Sequence, residues 1–200
     1  MPSFCQLRYK RFVPKHTHQD VGDGESVAMM EFLGRLEASG LGTWLRESPS
    51  LWSFPTVLAF HTFGLALIAG CSVAVDLRIL GVASSIPLKP LEKLFPVMWV
   101  GFALNATSGV LLFIKSATTV GISGLFWTKI ALIAAAMVTL VLIKRRVFSD
   151  SFDMSLPAAR SARTLALLSI LLWTAAITAG RLMAYVGPTA SEAGVLIAVQ

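Results

Sequence analysis

Four stretches of the chain are apolar over lengths that fit a bilayer, and short polar or turn-rich connectors separate them. A spanning helix needs roughly 20 predominantly apolar residues. The pattern predicts spans over about Leu51–Leu80, Leu94–Ile114, Leu125–Ile143 and Thr164–Val186. Trp52 and Phe54 suit the rim of the first span, and Pro55 falls in its first turns, where a missing N–H costs little. Pro87 and Pro90 break the connector 81–90, Lys115 ends the second span, and Lys144-Arg145-Arg146 stop the third. Residues 116–124 and 148–163 read as loops, and Gly187-Pro188 closes the fourth span.

Ahead of the spans the pattern changes twice. Residues 1–28 are polar and irregular and hold no apolar core of a signal peptide. They read as a polar leader, either a disordered tail or the product of a start site upstream of the true one at Met29 or Met30. Residues 29–48 alternate Phe32, Leu33, Leu36, Leu41 and Trp44 with Glu31, Arg35, Glu37 and Arg46, the pattern of an amphipathic helix lying in the membrane interface. Gly34, Gly40 and Gly42 leave open whether it is one helix or two short ones. The predicted architecture is all-α: an integral-membrane four-helix antiparallel bundle over 49–187, an N-terminal interfacial helix, and a short tail over 188–200.

Composition agrees. The chain has 200 residues, 55% of them hydrophobic and 14% charged, against about 25% charged in a soluble domain. The net charge of +6 would suggest nucleic acid in a soluble protein. Here the basic residues cluster at span ends, so nucleic acid is not an expected partner; the lipid bilayer is. Arg78, Lys89, Lys93, Lys144, Arg145, Arg146, Arg160 and Arg163 fall on one side, against Arg35, Arg46, Lys115, Lys129 and Arg181 diluted by glutamates on the other. The positive-inside rule then places loops 76–93 and 144–163 in the cytoplasm and both termini outside. Cys5 and Cys71 give neither a disulfide framework nor a metal site.

The residue of greatest chemical interest is His61, near the middle of the first span. An ionisable group in hydrocarbon is kept where it has a partner, a ligand or a proton to handle. At 100° per residue, Ser72 lies within about 20° of it and Asp76 within about 60°, a polar line along the helix. On the second span Gly101, Asn105 and Gly109 recur every fourth residue beside Ser108, with Asn105 at the depth of His61. On the fourth, Thr174, Thr178 and Arg181 form one stripe. Lipid rejects polar stripes, so these three are expected to face one another inside the bundle.

Each residue also has a plainer reading. His61 is either structural glue, bonded to a backbone carbonyl or to Asn105, or a haem ligand, or a proton, quinone or metal site. Asn105 is interhelical glue or a ligand. Arg181, Lys115 and Lys129 snorkel to headgroups or form a basic rim that attracts an acidic group. Asp76 pairs with a cation on another helix, and Arg78 meets the inner membrane surface. Trp173 packs in the core. His16 and His18 lie far from the span centre, which disfavours a two-histidine haem, and Met98 and Met137 are filler or alternative axial ligands. Glycine phosphate loops, Cys-x-x-Cys and His-Glu-x-x-His are absent from the sequence.

The segments LRESPSLWSFPTVLAFHTFGLALIAGCSVAVDLRILG, PLEKLFPVMWVGFALNATSGVLLF, FWTKIALI and LLWTAAITAGRLMAY resemble an uncharacterised family of small four-helix bacterial inner-membrane proteins. The resemblance covers about residues 30–186. The family's recurring positions match His61, Gly70, Asp76, Leu77, Arg78, Gly101, Lys129, Gly180, Arg181 and Tyr185. Some relatives carry a further histidine near the end of the third span, where this chain has Lys144. The resemblance implies a fold and no activity.

Two functions of different class follow. The first is a non-catalytic anchor or accessory subunit of a membrane complex, with a protein partner or a second copy of itself. The second is an electron carrier that holds haem b or a quinone at His61, with Asn105 and Arg181 as helpers. A small transporter is the weaker third.

Overall fold

The computed structural model describes residues 20–50, 52–82, 84–148 and 156–185. Residues 1–19, with Cys5, His16 and His18, and residues 186–200 lie outside them, as do the leader's first part and the tail. Every regular element among the described residues is helical: α1 (Asp20–Glu37), α2 (Gly40–Glu47), α3 (Phe54–Leu80), α4 (Leu94–Lys115), α5 (Ala117–Gly121), α6 (Gly124–Val147) and α7 (Leu156–Tyr185). A 3₁₀ turn, Lys89–Lys93, leads into α4.

Four of these helices are long and apolar enough to cross a membrane: Phe54–Leu80, Lys89–Lys115, Gly124–Val147 and Ala159–Met183. At 1.5 Å per residue the shortest is about 36 Å long, which exceeds a hydrocarbon core of roughly 30 Å. The chain is therefore a multi-span helical membrane protein whose outward faces meet lipid. Exposed Phe60, Phe63, Val100, Val110, Val138 and Leu171 are what such faces require.

Local chemistry sets the helix ends. Pro55 sits in the first turn of α3. At the other end Gly81, with φ of 94°, directs its N–H to Arg78 O at 3.1 Å, while Val82 N–H reaches Leu77 O at 3.0 Å. Only glycine adopts that left-handed cap at little cost. The Ser39 hydroxyl caps α2 by accepting from Gly42 N–H at 3.3 Å. The Ala38–Ser39 break divides the amphipathic segment into two helices. The first begins at Asp20, nine residues ahead of the expected start. Likewise α7 begins at Leu156, so Arg160 and Arg163 ride on a helix rather than a loop.

Contacts give the antiparallel register directly. Between α3 and α4, His61 meets Asn105 and Ile68 meets Gly101. Between α3 and α7, Ser72 meets Trp173, and Asp76 meets Ser169. Between α6 and α7, Lys129 meets Gly180, while Val147 lies by Ala159 and Ala162. The tightest approach is α3 on α4. A Cβ on Gly64 would fall 2.7 Å from Asn105 N and 2.8 Å from Gly101 O, so the two backbones touch. Gly70, one of the positions that match the resembled family, has nothing within 4 Å of an added Cβ and is exposed.

The apolar core, with Ile68, Val75, Phe95, Met98, Ala136, Leu140, Ile143 and Trp173, fills the middle of the bundle and the end bearing the Lys144–Arg146 run. At the opposite end α1 and α2 form a platform. Met30 and Leu33 pack on Ala117, and Leu33 fills the space left by Gly121.

Candidate functional site

The platform-end half of the bundle axis is polar. Buried positions on α3 (Ile68, Ser72, Val75), α4 (Met98, Gly101, Asn105), α6 (Ala136, Leu140, Ile143) and α7 (Ala166, Ser169, Trp173) define the four core-facing stripes. Extended at 3.6 residues per turn towards the platform, these stripes arrive at His61, Asn105 and Ser108, Lys129, and Gly180.

His61 and Asn105 clasp each other across the α3–α4 contact. Asn105 Nδ2 donates to His61 O at 2.8 Å, and His61 Nδ1 lies 3.0 Å from Asn105 O. Ser108 Oγ is 3.1 Å from the same ring nitrogen and donates to Leu104 O at 2.7 Å. A backbone carbonyl can only accept, and the serine proton is already directed elsewhere. Nδ1 is therefore the protonated nitrogen, an assignment made from the hydrogen-bond network. In the neutral ring Nε2 then carries a lone pair, and it has no hydrogen bond among the described residues. Gly109 makes room for the ring, since a Cβ there would sit 3.3 Å from His61 Cε1.

Lys129 enters the same region from α6. Its chain lies against Gly180, where a Cβ would be 3.4 Å from Cε and 3.5 Å from Nζ. Among the described residues it has no ion pair. The sequence predicts Lys129 at the rim; in the fold it is half-buried with its chain against α7.

A second polar cluster lies deeper, between α3 and α7. Trp173 Nε1 donates to Ser72 Oγ at 3.2 Å, and Ser72 Oγ is 3.2 Å from Ser169 Oγ and 3.5 Å from Asp76 Oδ2. Asp76 is 0% exposed, and its Oδ1 has no hydrogen-bond partner. The sequence predicts a cation on another helix for Asp76. Two hydroxyls take that place, and no ion pair forms among the described residues. Ser169 went unremarked in the sequence because a lone serine in an apolar helix carries little signal. Its spacing of four from Trp173 on the stripe of Ala162, Ala166 and Ala176 is the clue.

The fourth-span stripe faces the other way from the expectation. Thr174 and Thr178 are exposed, their hydroxyls bonded to Ile170 O and Thr174 O, each at 2.8 Å. Arg181 is exposed too and does not join His61. Trp173, one residue away from Thr174, takes the inward position because burying its ring gains more than burying a threonine. Tyr185 is 80% exposed. Arg78 Nε donates to Ile86 O and so staples the 81–88 connector.

The platform is fastened through Glu37. Its Oε2 accepts from Thr118 N–H at 3.0 Å and Thr118 Oγ1 at 2.6 Å, and its Oε1 pairs with Arg46 at 2.9 Å. Nearby, Lys115 Nζ lies 3.6 Å over the Phe54 ring.

Comparison of the chain with protein-family models, curated proteins and solved structures found no match. The functional reading therefore rests on the geometry of the chain itself.

Proposed function

We propose that this chain is a non-catalytic subunit of a larger membrane complex and that α7 is the helix that receives its partner. The observation that carries this is the outward stripe Thr174, Thr178 and Arg181 on a spanning helix. A guanidinium with no ion pair among the described residues and a run of small polar residues are poor neighbours for hydrocarbon but good ones for another helix. His61 fits the same reading, because its Nδ1 and carbonyl hold α3 to α4. The partner expected is a spanning helix that presents a carboxylate near Arg181. The distribution of basic residues supports an orientation with the platform outside and the 76–93 and 144–163 segments in the cytoplasm, and the resemblance over residues 30–186 implies a bacterial inner membrane. Extraction in mild detergent followed by mass spectrometry tests the subunit reading. A fixed-ratio partner is expected; a monodisperse chain on its own would oppose it.

A second reading is favoured by one specific feature. With Nδ1–H donated to Asn105 O, His61 Nε2 keeps the lone pair that a haem iron or a quinol hydroxyl uses. Haem b would show in the absorption spectrum of membranes, oxidised and then dithionite-reduced. A quinone would be found by organic extraction of the purified protein.

A further inference from the structure

We propose that Arg78 and Arg163 form a binding site for the phosphate of an anionic phospholipid, at the end of the bundle opposite the platform. The site rests on the packing of α3, α6 and α7 and not on the subunit reading, so either can fail without the other.

One cavity brings the two guanidinium side chains together. It measures about 20 Å³ and lies where α3 and α6 end and α7 begins. Arg78 and Arg163 form its polar walls, and Ile79, Leu88 and Val147 its apolar ones. Ala159 and Ala162 complete the lining and leave the space open, because each side chain stops at Cβ. A volume of this size holds one oxygen-sized group. That is too small for an organic substrate, but it seats one phosphate oxygen while the rest of the group stands at the mouth. Arg163 is exposed and Arg78 half-buried, so the cavity reaches the surface.

The donors fit an oxyanion. Arg78 Nε donates to Ile86 O, which holds the guanidinium against the connector and leaves its two terminal amino groups without a bond among the described residues. Arg163 has no ion pair among them either. A guanidinium presents a planar fork that matches phosphate geometry. Of the acids at this end, Asp76 faces Ser72 and Ser169 in the interior, and Glu92 is exposed. Asp150 and Asp153 lie outside the described residues.

The setting selects a lipid over a free anion. Arg78 is in the last turn of α3 and Arg163 in the second turn of α7, so both sit near the ends of spanning helices. Segments 76–93 and 144–163 carry eight lysines and arginines against four acids. Such an excess draws anionic lipid, and basic pockets between spanning helices hold its headgroups. Leu77, next to Arg78, and Ile86, bonded to it, are exposed. Acyl chains cover such apolar surface, whereas a free phosphate leaves it bare.

The test uses the purified full chain in detergent. Native mass spectrometry measures retention of phosphatidylglycerol and phosphatidylcholine with identical acyl chains, and thermal unfolding compares both lipids with sodium phosphate. Phosphatidylglycerol is expected to be retained preferentially and to stabilise most. Arg78→Gln and Arg163→Gln should each lower its retention about tenfold. Arg145→Gln, which removes a charge outside the cavity, should lower it less. Ala159→Leu, which fills the cavity and keeps both charges, should lower it as the arginine variants do. Asp150→Asn/Asp153→Asn should leave the preference in place. A preference that appears only in that variant means that the chain's own carboxylate fills the site, and it overturns the proposal. Equal retention of the two lipids, an equal loss in Arg145→Gln, or equal stabilisation by sodium phosphate overturns it too. Should Arg78→Gln release the connector and not fold, Arg163→Gln and Ala159→Leu decide.

Discussion

His61 and Asn105 each hydrogen-bond the other's main chain, the imidazole to Asn105 O at 3.0 Å and the amide to His61 O at 2.8 Å. Such a reciprocal pair fixes both the rotation and the register of α3 on α4, because a slip of either helix breaks both bonds together. Interhelical hydrogen bonds in membranes contribute about 0.6 kcal/mol on average and up to about 1.7 kcal/mol. His61→Ala and Asn105→Ala should each destabilise the bundle by about 1–2 kcal/mol. The double variant should lose less than the sum, because the pair shares one contact. Unfolding titrations in mixed micelles measure this; strict additivity would mean that the two residues act separately.

Helix approach at Gly64 should be far less tolerant than polarity. A methyl there meets Asn105 N at 2.7 Å and Gly101 O at 2.8 Å, both backbone atoms that cannot turn aside. Gly64→Ala should cost about 1–3 kcal/mol as an overpacked contact, and Gly70→Ala, with open space around it, should be neutral within about 0.5 kcal/mol. Thermal unfolding of the two variants side by side makes the comparison.

The Asp76 cluster makes an unusual prediction for a buried acid. Oδ1 has no hydrogen-bond partner and Asp76 no ion pair among the described residues, so the carboxyl contributes little that an amide would lose. Asp76→Asn should leave stability within about 1 kcal/mol. Trp173→Phe should lose about 1 kcal/mol for the bond to Ser72, and Trp173→Ala about 3–5 kcal/mol for the cavity. A collapse of the fold in Asp76→Asn would mean that the carboxylate has a charged partner after all.

Glu37 joins the platform to the bundle through two bonds from Thr118 and ties α1 to α2 through Arg46. Glu37→Ala should release α1 and α2 while leaving the four spanning helices folded. Hydrogen exchange over residues 20–47 should rise about tenfold or more, as the loss of one charge-assisted bond implies. Unchanged protection would assign the docking to the Met30–Leu33–Ala117 contact alone.

Much of this was legible in the sequence, and the rest was hidden for physical reasons. Spans follow from hydropathy because lipid accepts only helices whose backbone bonds are internal. The match of His61 with Asn105 followed from counting depth along two antiparallel helices. The face of α7 could not be read the same way. Thr174 and Trp173 are adjacent, so the helix offers two competing inward faces, and the larger ring wins the core while each threonine satisfies itself on the preceding turn. The place of Lys129 is hidden for a similar reason. Snorkelling is the usual fate of a lysine near a span end, and nothing in the sequence says that Gly180 leaves a place for its chain on the bundle axis.

The claim that α7 receives a partner is tested most directly by a photo-crosslinking amino acid placed at Thr178 in native membranes, with Val138 on the lipid-facing side of α6 as control. A discrete protein adduct from Thr178, absent from Val138 and lost in Arg181→Glu, is the result expected. Thr178 that captures no protein, or captures no more than Val138, would contradict it.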